Sequence, residues 1–362
     1  EKMNNEDLYF LRFGYYPNKS SSIINPVIHE YKRSYDIEEL INLFKDVISS
    51  SCENKKIRIP LSGGFDSRFL LAICLDSFPK DKIELYTFGS KDTFDFQIPT
   101  TISKKLKLNH SFSDQSTYSY NLDEHKKEAL QYNKLTHFFH NGRGDYEFEG
   151  ITLSGLAGDI LFGSALSEND STMSDEICNY LKSKNITTFQ LNSNDYLHFF
   201  NRAEKIGSFT NKESLIFSHR VPNYYTPLIY KNSINNLSVF MEPSIINYFS
   251  TRIRDKNKLF DLKLGLFDYA EKVLGKFPYK NFYGLSKYNS VKFQIYKNFS
   301  RIQLHKKMNN NFNFKKRTLD NAISEGWFNE FNDFCREMKI DITDSNSLKT
   351  ALPVWIKLNN NV

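Results

Sequence analysis

The chain has 362 residues, 40% of them apolar and 25% charged, enough for one large domain or two modest ones with a sizeable core. Its formal charge of +6 is mild for that length, so it suits anionic small molecules and is no footprint of a nucleic-acid binder. The four cysteines, Cys52, Cys74, Cys178 and Cys335, are scattered and form no CxxC pair, which argues against a zinc cluster or a disulfide scaffold and for a cytoplasmic setting. No apolar run is long enough to span a membrane and no signal peptide is visible, so no membrane partner is expected.

Taken in chain order, residues 1–35 read as a lead-in. There "DLYFLRFGYYPN" alternates aromatic and polar residues and ends in a turn signal, which predicts a strand and a turn. A helix is predicted next, over "SYDIEELINLFKDVISSSC". Asp36 is placed to cap it, Glu38 and Glu39 sit in the first turn, and Ile37, Leu40, Ile41, Phe44 and Ile48 share a face. An alternation then sets the fold class. "KIRIPL" is a strand, "SGGFDSRFLLAICLDSF" a turn into a helix, and "KIELYTFGS" a strand. "DFQIPTTISKKLKL" is a helix interrupted early by Pro99, and "HSFS" a short strand. Strand and helix alternating in this way predict an α/β fold, a parallel sheet with helices on both faces. "GITLSGLAGDILFG" supplies another strand, turn and helix start. From about residue 170 the pattern is mostly helical and rich in aromatics.

The first turn carries the chemistry. A strand ending in a glycine turn that opens a helix presents backbone N–H groups and a helix N-terminus to an anion, at the C-terminal edge of a parallel sheet. The Walker loop and the GxGxxG fingerprint are both excluded by spacing. What stands in residues 62–67 is S-G-G-F-D-S. Glycines let a phosphate chain approach, and Ser62 and Ser67 add hydroxyls. Asp66 would repel bare phosphate and makes sense with a Mg²⁺ between the two. A plain strand-to-helix turn is the bland alternative.

This stretch resembles the pyrophosphate loop, SGGxDS, of the N-type ATP pyrophosphatases (the PP-loop family). Those enzymes cleave ATP between the α and β phosphates and activate an acyl group as its adenylate. "LSGLAGDILFG" (153–163) resembles the LSGxGxDExFGGY stretch of the asparagine synthetase and β-lactam synthetase branch, and "FDFQIPTTISKKLKLNH" its D-E…A…L-G…H segment, with Asp95, Leu106 and His110 at similar spacing. The lead-in resembles the end of a glutaminase domain. The resemblance covers roughly residues 8–165. It implies an adenine nucleotide alpha hydrolase-like domain over residues 36–362, with the nucleotide-binding sheet in about 55–170, and ATP and Mg²⁺ as cofactors. It further implies that Ser62, Gly63, Gly64 and Ser67 hold pyrophosphate and that Asp66 and Asp159 share the metal. Leu61, Phe88, Ser154 and Gly155 would line the adenine and ribose pocket. Two carboxylates from two strand ends converging on one hard cation make physical sense of that assignment. A late lysine, Lys287 in preference to Lys280, would meet the pyrophosphate or the acyl intermediate.

The chain departs from the pattern at three places. Leu156 and Ile160 stand where the branch carries acids, and Arg68 stands where it carries serine, adding positive charge if it turns toward the cradle. Free aspartate is therefore not the expected substrate. The residues ahead of position 36 hold no cysteine, so glutaminase chemistry is not expected from them. Nitrogen is expected as ammonia, from a separate glutaminase or other biosynthetic partner protein, or as an amine on the substrate, as in β-lactam synthetases and lasso-peptide macrolactam cyclases. The expected activity is an ATP-dependent amide-forming ligase acting on a small-molecule or peptide carboxylate, with no nucleic-acid partner. Two rivals stand beside it: a nucleotide-binding subunit without chemistry, and a tRNA-modifying enzyme, which predicts a strongly basic face or extra cysteines. His137 and His140, at i and i+3, lack a third metal ligand and read as part of an aromatic cluster. His110 reads as a structural histidine rather than an ATP contact.

Overall fold

A computed structural model describes residues 7, 10, 11, 34–91, 93–114, 148–166, 171–183, 205–225, 235–280, 291–307, 325–340, 342 and 345–360. The first full helix, α1, spans Ile37–Cys52, and the Asp36 carboxylate accepts from the Glu39 N–H at 3.0 Å to cap it as expected. Strands follow at β1 Lys56–Pro60, β2 Ile83–Gly89 and β3 Asn109–Asp114, separated by helices α2 Asp66–Ser77 and α3 Phe94–Leu106. Then come β4 Gly150–Ser154, the one-turn helix α4 Gly158–Leu161, α5 Met173–Ser183 and α6 Asn211–Leu215. Beyond them lie β5 Asn236–Ser238, α7 Pro243–Ser250, α8 Lys256–Leu274, α9 Val291–Lys307, α10 Phe328–Glu337 and α11 Ser345–Asn360.

All the strand pairs are parallel and the order is β3-β2-β1-β4-β5. The chain steps from β1 outward to β3, then returns to the other side of β1 for β4 and β5. The direction of winding therefore reverses between β1 and β4, the crevice at which open parallel sheets place ligands. With its flanking helices this is an α/β fold built on a five-stranded parallel sheet.

Packing follows from the apolar strands and from α2. Ile57, Ile59, Leu85 and Leu153 of the sheet are at most 1% exposed, and the run Phe69–Cys74 is fully buried. Helix α2 is apolar all round because it is covered by α1, α8 and the sheet together. Phe65, Phe69, Phe162, Phe240 and Phe267 join in stacked, edge-on and tilted ring contacts at the centre. A second, smaller core gathers Phe10, Leu11, Phe331, Cys335, Ile340 and Trp355.

Two expectations are corrected here. Asp7, Phe10 and Leu11 of the lead-in are helical rather than extended, because their i, i+3, i+4 spacing buries Phe10 and Leu11 in the second core while Asp7 pairs with Lys357 at 2.5 Å. Pro99 lies inside an unbroken α3. Only the one N–H is lost there, and the Thr93 carbonyl already takes both Phe96 and Gln97 N–H groups to start the helix firmly. The later half is mostly helical as expected, and β5 adds a three-residue strand beside β4.

Candidate active site at the switch point

The two motif loops leave neighbouring strands. Residues 61–65 follow β1 and residues 155–157 follow β4, so both open onto the crevice between those strands. Three strand ends, β2, β1 and β4, bring Phe88, Leu61 and Ser154 into one row, with Gly155 next to the last. Phe88 is half-buried, Ser154 is buried, and Leu61 is 2% exposed with its carbonyl taken by the Thr87 hydroxyl at 2.9 Å.

The glycine loop is a closed circuit of short polar contacts. The Ser62 N–H donates to Ser67 Oγ at 3.1 Å, the two serine hydroxyls lie 3.1 Å apart, and the Gly64 N–H donates to Ser62 Oγ at 3.2 Å. The Gly63 N–H donates to Asp95 Oδ1 at 3.1 Å. A Cβ at Gly63 would stand 3.0 Å from Lys280 Cβ and 3.1 Å from Ile98 Cδ1, so a larger residue there would press on both side chains.

Arg68 corrects the charge expected at the cradle. Its guanidinium is fully buried and donates to the carbonyls of Gly64 (3.0 Å), Gly63 (3.1 Å), Pro278 (2.7 Å) and Phe277 (3.4 Å), with Tyr279 stacked on it at 3.3 Å. Carbonyls held on one side leave the loop's N–H groups facing the other. Arg68 thus ties segment 277–280 to the loop, and the Lys280 N–H completes the tie on the Gly63 carbonyl at 2.9 Å. Lys280 itself is drawn to the loop's edge, its ammonium paired with Asp95.

Asp66 begins α2 and reaches toward β4. A Cβ on Gly158 would stand 2.8 Å from Asp66 Cγ, and one on Gly155 would stand 3.4 Å from Asp66 Cβ. These two glycines make room for the carboxylate. Asp66 Oδ1 is buried and has no hydrogen-bond partner, an unusual cost for a carboxylate oxygen. Asp159 is the next residue after Gly158, and Ser164 Oγ donates to its Oδ2 at 3.2 Å. Burial pushes the Asp66 carboxyl up to about 7, with Lys263 pulling it back down and Asp159 adding to the rise. The sequence reasoning missed Lys263, a 2% exposed lysine of α8 whose ammonium lies 5.4 Å from the rings of both Phe65 and Phe162. Burial lowers it, and Asp66 and Asp159 offset part of that shift. Its signal was legible: Leu259, Lys263, Leu266 and Ala270 form one buried i, i+4, i+7, i+11 stripe, with a lysine where a hydrophobe belongs.

The structure therefore gathers Ser62, Gly63, Gly64, Asp66, Ser67, Ser154, Gly155, Asp159 and Lys280 around one crevice. Lys287, His137 and His140 lie outside the described residues. His110 is hydrogen-bonded to Thr87 Oγ1 at 2.9 Å and to Ser103 Oγ at 3.2 Å, a satisfied histidine behind the Leu61 carbonyl. The acid positions of the resembled motif are apolar in place as well as in sequence. Ile160 is 6% exposed in the main core, and Leu156 packs half-buried against it.

No family model and no curated protein matches the chain. Among solved structures, the U34-tRNA thiolase NcsA from Methanococcus maripaludis, with its 4Fe-4S cluster, aligns over 77% of this chain and 84% of its own at 12% identity and a TM-score of 0.27. At those values the likeness bears on neither substrate nor chemistry. Among the described residues no helix is long and apolar enough to cross a membrane, and no group of three or more His, Cys, Asp or Glu side chains is placed to hold a metal.

Proposed function

We propose that the chain is an ATP-dependent carbon–nitrogen ligase that adenylates a carboxylate, releases pyrophosphate and passes the acyl group to an amine or ammonia. One observation carries the reading: the loop Ser62–Ser67 and the Asp66–Asp159 pair meet at the β1/β4 crevice, with Asp66 Oδ1 buried and unpartnered there. Ser62, Gly63, Gly64 and Ser67 would hold the pyrophosphate portion, through N–H groups that turn from internal acceptors to phosphate oxygens. Leu61, Phe88, Ser154 and Gly155 would flank the adenine and ribose. Lys280, at the loop's edge, would meet the departing pyrophosphate.

The two carboxylates fit Mg²⁺, a hard cation taken by oxygen ligands, and the orphaned oxygen of Asp66 is the group such an ion would satisfy. Bound there, Mg²⁺ would supply charge neutralisation at the phosphates as pyrophosphate departs. Lys263 adds a buried positive charge close to both carboxylates, holding them together and in place. Apolar residues at 156 and 160 disfavour the amino group of free aspartate, so a peptide or secondary-metabolite carboxylate, or a sugar carboxylate, is the proposed substrate class. The acceptor is an amine on the substrate, or ammonia delivered by a partner.

Asp66→Ala is expected to abolish ATP–pyrophosphate exchange measured against a panel of carboxylates. Exchange unchanged in that variant would overturn the metal assignment. The apolar residues at 156 and 160 also favour a second reading, an ATP-binding subunit without chemistry. It predicts ATP binding with no AMP formed across the same panel.

A further inference from the structure

One donor of the glycine loop is already held by a full negative charge. Asp95, in the first turn of α3, accepts from the Gly63 N–H at 3.1 Å, and its other oxygen is paired with the Lys280 ammonium. The Ser62 and Gly64 N–H groups go instead to the hydroxyls of Ser67 and Ser62. A hydroxyl is neutral and can rotate to donate, so it can stay in place beside a phosphate. A carboxylate only accepts, and one N–H serves one acceptor well. Asp95 and a phosphate oxygen therefore compete for the same two donors. The start of α3 and Lys280 are pressed against the loop, as the contacts of a Cβ at Gly63 with Lys280, Ile98 and the Phe94 carbonyl show. That packing keeps the carboxylate within reach.

We propose that Asp95 is an internal anion that holds the glycine loop closed, and that a polyphosphate binds by displacing it from Gly63 and Lys280. The proposal rests on the nucleotide reading above. Asp95 and Lys280 are 36% and 31% exposed, so solvent screens the pair and the latch is weak. A diphosphate or triphosphate brings enough charge to release it. A single phosphate brings less, so the latch also sorts polyphosphates from orthophosphate.

The test is isothermal titration of the full chain with inorganic pyrophosphate and with ATP and Mg²⁺. Asp95→Asn keeps the shape and removes the charge, and is expected to tighten pyrophosphate binding about three- to tenfold. In a Lys280→Met background the same change should gain markedly less, because no lysine is left to free. An equal gain in both backgrounds would mean simple repulsion of a polyanion and would overturn the latch, as would weaker binding by Asp95→Asn. Unchanged affinity in Asp95→Asn, with the parent chain binding normally, removes the latch and leaves the nucleotide reading standing. If neither the parent nor any variant binds pyrophosphate or ATP, both fall.

Discussion

A methyl group on Gly158 would press on Asp66, its Cβ standing 2.8 Å from Cγ and 3.1 Å from Oδ1. The backbone there is ordinary helix, so Gly158→Ala strains the site and not the chain's own path. The carboxylate must move by a fraction of an ångström, where a misplacement of about 1 Å costs about 100-fold in rate. Exchange is expected to fall by about tenfold while the thermal midpoint moves little; a variant that exchanges normally would show that Asp66 does not work from this position. A second residue bears on pH. His219 is 4% exposed, and burial pulls its imidazolium down to about 4 from an ordinary 6.5. Between those values the unfolded chain binds a proton that the folded chain refuses, so stability is lost as pH falls from about 6.5 to about 4, by on the order of 3 kcal/mol. His219→Gln should flatten that part of the curve in denaturation experiments at several pH values; an unaltered slope would place the titration elsewhere. At this scale the placement of Ser62, Gly63 and Asp66 at a strand-to-helix turn was legible, because a glycine pair and a helix-starting acid follow an apolar strand. The partners of Arg68 and Lys263 were opaque even though the Lys263 stripe showed its burial, because they lie about 100 to 200 positions away, in segment 277–278 for one and at Asp66 and Asp159 for the other.

The short helix α4 carries Asp159 and is only one turn long, so its own hydrogen bonds hold it poorly. Its last carbonyls are held from outside: Arg254 Nη2 donates to the Leu161 carbonyl at 2.8 Å and to that of Ile160 at 3.3 Å. The same guanidinium is paired at 2.5 Å with Glu213, itself fully buried at the start of α6, where Thr210 and Glu213 form a capping box. Removing the arginine would leave a carboxylate buried without its cation, which costs about 3–5 kcal/mol. Arg254→Met should lower the denaturant midpoint accordingly, and Glu213→Gln added to it should recover part of the loss. A neutral Arg254→Met would show that Glu213 finds another partner. Elements were read from the sequence where periodicity and turn chemistry agreed, as in the run β1–α2–β2–α3–β3 and in β4–α4. β5 escaped because three residues, Asn236–Ser238, are too few to show alternation. The run through Pro99 escaped because a proline's effect depends on which carbonyl it orphans, which composition does not reveal.

At the scale of the whole chain, a parallel sheet was implied by strands alternating with helices, while the order β3-β2-β1-β4-β5 was not. The second core was not implied, because its residues come from the two ends of the sequence: Asp7, Phe10 and Leu11 on one side, residues 327–358 on the other. This division has a measurable consequence. The chain has two tryptophans, Trp327 and Trp355, and their rings stand 6.1 Å apart in the second core. Tryptophan fluorescence therefore reports on that core alone, while far-ultraviolet circular dichroism is weighted toward the larger body of helix and sheet. Phe331 is fully buried against both indoles, its ring 6.0 Å from Trp327 and 5.7 Å from Trp355. Phe331→Ala removes that filling and costs about 3–5 kcal/mol locally. None of the residues at the β1/β4 crevice belongs to this cluster, so the glycine loop and Asp66 keep their surroundings. The expected result is a fluorescence midpoint that falls well below the dichroism midpoint, with pyrophosphate exchange at low temperature close to that of the parent chain. Midpoints that fall together would show that the two cores unfold as one unit, and the site would then depend on a cluster it does not touch.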